Sequence, residues 1–156
     1  MNERYDLTYM ANLYMALADK TRLRLLNLMR EQEVCVGYFT DVLGDSQPKI
    51  SRHLAYLRNA GIVEARREGK WMHYRIKWPE DRSVAAVIEA TLRSLSGLDD
   101  CRCDIQKYVE AFGGVGTLGL PIGRKTDIYA ETDVNDALDQ YDDSRSSHNE
   151  LEEFLL

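Results

Sequence analysis

The stretch from Asp45 to Leu57 constrains this chain more than any other: Asp-Ser-Gln-Pro-Lys-Ile-Ser-Arg-His-Leu-Ala-Tyr-Leu. Ser46 has the side chain of an N-cap, able to accept from an unpaired amide of a first helical turn. Pro48 falls just inside, where its missing N–H costs nothing. Ile50, Leu54 and Leu57 recur at helical spacing and predict one apolar face. The opposite face carries Arg52, Tyr56 and Asn59, flanked by Lys49 and Ser51. Two readings fit these residues: a solvated amphipathic helix, or a helix that presents its polar N-terminal half to a DNA major groove.

The flanks favour the second. Tyr38 to Leu43 reads as a short helix closed by Gly44, a residue suited to the left-handed C′ position. Helix, tight turn, helix is the helix-turn-helix layout. Beyond the break at Ala60-Gly61, Ile62 to Glu68 and Trp71 to Ile76 predict two strands about a turn at Glu68-Gly69-Lys70. Trp71, His73 and Arg75 alternate with Met72, Tyr74 and Ile76. A hairpin directly after a recognition helix is a wing.

Several motifs in order then carry a resemblance. The run Ala18-Asp19-Lys20-Thr21-Arg22-Leu23-Arg24-Leu25-Leu26 resembles the opening of the ArsR/SmtB repressors. So do Glu33-Val34-Cys35-Val36, Ser51-Arg52-His53-Leu54 and Arg66-Arg67-Glu68-Gly69-Lys70-Trp71. The resemblance covers roughly Ala16 to Ile76. It implies a homodimeric winged helix-turn-helix repressor that leaves operator DNA when a metal or metalloid binds, dimerising through the first and last helices. The expected fold is mainly α with a two-stranded β wing, an α+β arrangement.

Charge agrees once it is divided along the chain. The net charge is −6, but up to Ser96 there are 15 Lys and Arg against 12 Asp and Glu, and from Gly97 onward 5 against 14. Between Gln47 and Lys77 eight basic residues face only Glu64 and Glu68. A local excess of +6 is the footprint that a phosphate backbone needs. The candidate DNA contacts are Ser46, Gln47, Lys49, Ser51, Arg52 and His53 on the helix, with Arg66, Arg67 and Lys70 on the wing. Arg52 can fork onto guanine and Gln47 can pair with adenine. For His53 a satisfied, partly buried ring is the preferred reading over a base contact. Tyr56 and Tyr74 read as packing residues.

Upstream, Thr8 to Ala18 and Lys20 to about Arg30 predict two helices, the second capped by Asp19. Downstream, Pro79 ends the wing and Asp81 or Ser83 can cap a helix to about Ser96, with Val84, Ile88, Thr91 and Leu95 on its stripe. We divide the chain into residues 1–97, the DNA-binding and dimerisation domain; 98–112, a cysteine-containing extension that is part helical from Ile105; and 113–156, Gly-rich and then acidic, with no regular structure expected. The acidic end reads as a solubilising or partner tail, or as a competitor with DNA for the basic face. No apolar run approaches the ~20 residues of a membrane span, and the N-terminus lacks a signal-peptide pattern. The expected setting is the cytoplasm, where three cysteines read as thiols or ligands rather than disulfides.

Cys35, Cys101 and Cys103 are the candidate metalloid ligands, because soft trivalent arsenic prefers sulfur. The spacing Cys101-Arg102-Cys103 is expected to place two sulfurs close together. Cys35 falls where the resemblance places the first cysteine of a third-helix site. The family pattern continues Cys-Val-Cys there, whereas this chain has Cys35-Val36-Gly37. Cys101 and Cys103, which match a family variant with cysteines near the end of the last helix, could supply the missing sulfurs from the same or the partner subunit. A zinc site on the dimer helix has no ligands: Arg82 to Ser96 contains no His, Cys or Asp. As(III) or Sb(III) is therefore the expected inducer, with no cofactor required for DNA binding. The rival reading on the same fold is a thiol redox or polysulfide response through Cys35 and one of the other two. A winged protein-interaction module without DNA is a further rival, opposed by the basic cluster. An enzyme is not indicated, since no nucleophile–base pair or phosphate loop is visible.

Overall fold

In a computed structural model of the chain, residues 5–112 are described. The helices are α1 (Leu7–Leu17), α2 (Lys20–Leu28), α3 (Val36–Leu43), α4 (Gln47–Asn59), α5 (Arg82–Leu95) and α6 (Asp99–Phe112). The strands are β1 (Val34–Cys35), β2 (Val63–Glu68) and β3 (Trp71–Ile76), forming one antiparallel sheet in the order β1-β3-β2.

Local chemistry starts and stops several of these elements. Asp19 accepts from the Arg22 amide at 2.9 Å and opens α2, and Asp81 accepts from the amides of Ser83 and Val84 and opens α5. Asp6 does the same for α1 through Tyr9. Gly44 closes α3 at φ 71°, so the chain reverses into α4 without Cβ strain. The wing turns at Gly69, also left-handed at φ 60°.

One core holds these elements in place. Leu13 of α1, Leu25 and Leu26 of α2, Phe39 of α3 and the α4 stripe Ile50, Leu54 and Leu57 are almost wholly buried. Tyr74 of β3 packs beside Phe39, with ring centroids 6.5 Å apart. Burying one face of α4 this completely leaves the other face, with Arg52, Tyr56 and Asn59, on the surface.

Two features differ from the sequence reading. The sheet has a third strand, β1, where Val34 pairs with Tyr74 and Cys35 with His73. Two residues are too few to show a period, and their partners lie about 40 positions away. The acidic segment around the thiols is also not a loop. It is the start of α6, which is helical from Asp99 rather than from Ile105. Asp99 and Asp100 in its first turn suit the positive end of the helix dipole. Its buried stripe is Cys101, Asp104, Tyr108 and Phe112, a helical pattern that an apolar count misses because it contains an aspartate. α6 packs on α2 and α3. Tyr38 of α3 lies 3.9 Å from the Phe112 ring, centroid to centroid. The expected Gly-rich and acidic tail, 113–156, lies outside the described residues.

Candidate DNA-binding face and the three thiols

The outward side of α4 is a basic groove of about 420 Å³, whose lining includes Arg22, Lys49, Arg52, His53 and Tyr56. Arg52 is exposed. Lys49 is exposed and donates to Asp45 at 2.8 Å across one turn. Ser46 is exposed in the extended N-cap conformation; its carbonyl, not its hydroxyl, accepts from the helix, taking the Ile50 amide at 3.0 Å. Gln47 is half-buried. Ser51, expected in the groove, is only 5% exposed and lies against the floor. His53 is half-buried, with Nδ1 3.4 Å from Asp19 Oδ1. Burial pushes its pKa below the ordinary value, with the Asp19 carboxylate opposing in part. That matches the reading of a satisfied, partly buried ring.

Arg22 is a member of this face that the sequence reading passed over. It comes from α2, not from the helix-turn-helix. Its guanidinium donates to the carbonyls of Ala16 at 2.7 Å and Met15 at 2.9 Å, tying down the end of α1. It also sits 4.2 Å over the Tyr56 ring. Tyr56 is 40% exposed, so it is a surface platform for that cation rather than a core residue. No period within α4 could reveal a partner contributed by another helix.

On the wing, Arg67 and Lys70 are exposed at the tip, and Arg67 Nε donates to the Gly69 carbonyl at 3.2 Å. Arg66 is differently placed. Its Nη2 donates to Glu33 Oε1 at 2.6 Å and to Glu68 Oε2 at 2.7 Å, and its Nε to Glu33 Oε1 at 3.1 Å. Arg75 donates to Glu64 across the hairpin at 2.5 Å. The excess of six already counts Glu64 and Glu68, so the further carboxylate that reduces it is Glu33, from outside the wing.

The thiols are spread, not gathered. Cys35 ends β1 and precedes α3, with 6% of its surface exposed; Cys101 is 3% exposed; Cys103 is exposed. Burial pushes the Cys35 thiol up, offset in part by the amides of Gly37 and Val36. Burial also raises Cys101, and Asp104 adds to the effect. The Cys101 carbonyl accepts from Asn27 Nδ2 at 3.2 Å, fixing that turn of α6 to α2. The expectation that Cys101 and Cys103 lie close together is corrected by the helix. Two positions along an α-helix are about 200° apart around its axis, so one thiol faces the core and the other faces water. Among the described residues no group of three or more His, Cys, Asp or Glu is arranged to hold a metal ion.

Comparison with known proteins agrees with this architecture. A family profile described as bacterial regulatory protein, arsR family, matches residues 19–65. The arsenic resistance transcriptional regulator ArsR1 of Pseudomonas putida is 47% identical over 89 residues, spanning 53% of this chain and 69% of that protein. The arsenical resistance operon repressor of Escherichia coli is 51% identical over 82 residues, or 52% and 70% of the two chains. Among solved structures, HlyU from Vibrio cholerae is similar with a TM-score of 0.51 and 31% identity, covering 60% of this chain and 97% of HlyU. Among the described residues no helix is long and apolar enough to cross a membrane. With a buried helix-turn-helix scaffold, an outward basic helix face, a wing and relatives of this kind, the chain belongs to the arsR family of winged helix-turn-helix transcriptional regulators and is not an enzyme.

Proposed function

We propose that this protein is a cytoplasmic, homodimeric repressor that leaves its operator when arsenite or antimonite is captured by cysteine thiolates. The observation that carries this reading is its 47% and 51% identity to two regulators named for arsenical resistance. Three thiols in a chain of this family supply the soft donors that such an inducer needs. In support of a second subunit, α1 exposes Leu7, Tyr14 and Met15, at 85%, 55% and 48%. Two recognition helices on one dimer gain from each other through effective concentration.

In this reading Ser46, Gln47, Lys49 and Arg52 meet the major groove, Arg67 and Lys70 meet phosphates, and Ser51 and His53 support them from the floor. Cys103 is the accessible first ligand. Cys101 joins when the first turn of α6 opens, and Cys35 or a thiol of the second subunit completes the set. Capture then acts on DNA binding because one arrangement of α6 binds the metalloid better than the other. Burial and raised pKa at Cys35 and Cys101 argue against a redox response, which needs accessible thiolate.

The test is fluorescence anisotropy of a labelled duplex that the reduced protein has itself enriched from a random-sequence pool. Arsenite is titrated under excess phosphine reductant. Release near one arsenite per subunit, lost in Cys101→Ser/Cys103→Ser, supports the reading, and Cys35→Ser shows whether the third thiol takes part. Binding that survives arsenite but falls with polysulfide would replace it with the redox reading.

A further inference from the structure

The wing is a two-stranded hairpin, and such a hairpin is marginal on its own. Its attachment to the domain through the sheet is short, because β1 is two residues long. In the order β1-β3-β2 the outer wing strand does not touch β1. One side-chain cluster spans that gap. Glu33 immediately precedes β1 and holds the Arg66 guanidinium of β2 with three hydrogen bonds, 2.6, 3.1 and 3.4 Å long. Between them, on β3, lies His73, the cross-strand partner of Arg66. Its Nδ1 is 3.6 Å from the same Glu33 oxygen and its Nε2 is 4.0 Å from Glu68 Oε2. Glu33 and His73 have only 17% and 13% of their side chains exposed.

The charge of this cluster disfavours a simple phosphate role for Arg66. Two carboxylates, Glu33 and Glu68, share one guanidinium. Burial keeps His73 below its ordinary pKa, so the ring adds no compensating charge at neutral pH. The cluster is net negative, and a DNA phosphate brought to it meets repulsion. Arg67, next along the strand, points to the other face, where its Nε donates to the Gly69 carbonyl.

We propose that Arg66 is a wing-positioning residue, strapped by Glu33 over His73 so that β1, β3 and β2 move as one body, and that it does not contact DNA phosphate. Its role depends on the Glu33 contact, so the two residues form one functional unit. Because β1 also carries Cys35 opposite His73, the strap joins the wing to the strand that leads into α3.

The test is a double-mutant cycle, Glu33→Gln and Arg66→Ala, read as affinity for the enriched duplex over a series of salt concentrations. Glu33→Gln in the Arg66→Ala background reports the bare charge effect, which the cycle subtracts. Positioning requires Glu33→Gln to weaken binding by about tenfold when Arg66 is present, within the range seen for coupled ion-pair networks, and not when Arg66 is absent. The salt slope should stay unchanged in Arg66→Ala. In a Trp78→Phe background Trp71 is the one tryptophan left, and both variants should make it more accessible to acrylamide with the melting midpoint held. The proposal is overturned if Glu33→Gln tightens binding by freeing Arg66. It is equally overturned if Arg66→Ala lowers the slope by about 0.9 per subunit, the signature of one lost phosphate, or if affinity falls only as heat stability falls.

Discussion

Arg24 of α2 and Asp104 of α6 are 80 positions apart in sequence and joined by two parallel hydrogen bonds, Nε to Oδ2 and Nη2 to Oδ1, each 2.7 Å. The pair is lopsided: the Asp104 side chain is 1% exposed and that of Arg24 28%. Breaking it from the two sides is therefore not equivalent. Arg24→Ala strands a buried carboxylate and is expected to cost about 3 kcal/mol. Asp104→Asn leaves a neutral acceptor, with the arginine free to turn toward water, and is expected to cost about 1 kcal/mol. Urea midpoints of the two variants check the order; equal losses would show that the carboxylate is not truly desolvated.

Thiol reactivity follows from the same docking. With an aromatic disulfide reagent, Cys103 should react within the mixing time, and Cys35 and Cys101 should react slowly, through opening of the structure. Arg24→Ala should speed Cys101 by about tenfold or more, since each 1.4 kcal/mol of docking lost raises the open fraction tenfold. Cys35, on β1, should change less. Mass spectrometry of the labelled peptides separates the three sites.

Two positions on α4, one on each side of His53, should separate fold from recognition. Arg52 is exposed and Leu54 is wholly buried. Arg52→Ala should leave stability within about 0.5 kcal/mol and weaken binding to the enriched duplex by about 1–3 kcal/mol. Leu54→Ala should cost about 2–5 kcal/mol of stability. Calorimetry with duplex titration distinguishes them, and an Arg52→Ala protein of full affinity would remove that residue from the interface.

Acid should weaken the domain before any carboxylate titrates. His53 and His73 are both held below the ordinary histidine value of 6.5, chiefly by burial, with Asp19 and Glu33 opposing. In the unfolded chain both rings take up protons near that value, while in the folded chain they do so only at lower pH. Stability should thus be level above about pH 7 and fall as pH drops through 6.5 toward the lowered values. Urea midpoints at about pH 7.5 and 5.5 measure the fall, and His73→Gln should make it shallower. A midpoint that rises on acidification would mean that the carboxylates, not burial, govern these rings.

What could be read in the sequence was local. The α4 stripe, the Asp19 and Asp81 caps, the Gly44 stop and the Gly69 turn each rest on residues within about one or two turns of each other, and each is found in the structure. What was missed depends on distant partners. β1 exists because Val34 meets Tyr74. The start of α6 stays hidden until Arg24 makes a buried Asp104 acceptable. Arg66 looks like a phosphate contact until Glu33, 33 positions earlier, is placed beside it. The thiols show the same limit: a spacing of two puts side chains together on a strand edge and apart on a helix, and the acidic composition of Asp99 to Asp104 masked the helix.

That last geometry would set a threshold for any ligand that bridges the two thiols. Any single atom bonded to both Cys101 and Cys103 of one subunit must find α6 unwound at its first turns, because the intact helix holds the two sulfurs on different sides. The apparent affinity of such a bridging atom is its intrinsic affinity multiplied by the fraction of molecules already open. The Arg24–Asp104 pair and the Asn27 hydrogen bond to the Cys101 carbonyl hold α6 to α2 and would lower that fraction. Each additional 1.4 kcal/mol of docking would raise the concentration needed for half-response about tenfold. For a ligand that bridges these two thiols, the grip of α2 on α6 would thus set the sensitivity, adjustable by substitutions that leave both the thiols and the DNA-facing helix unchanged.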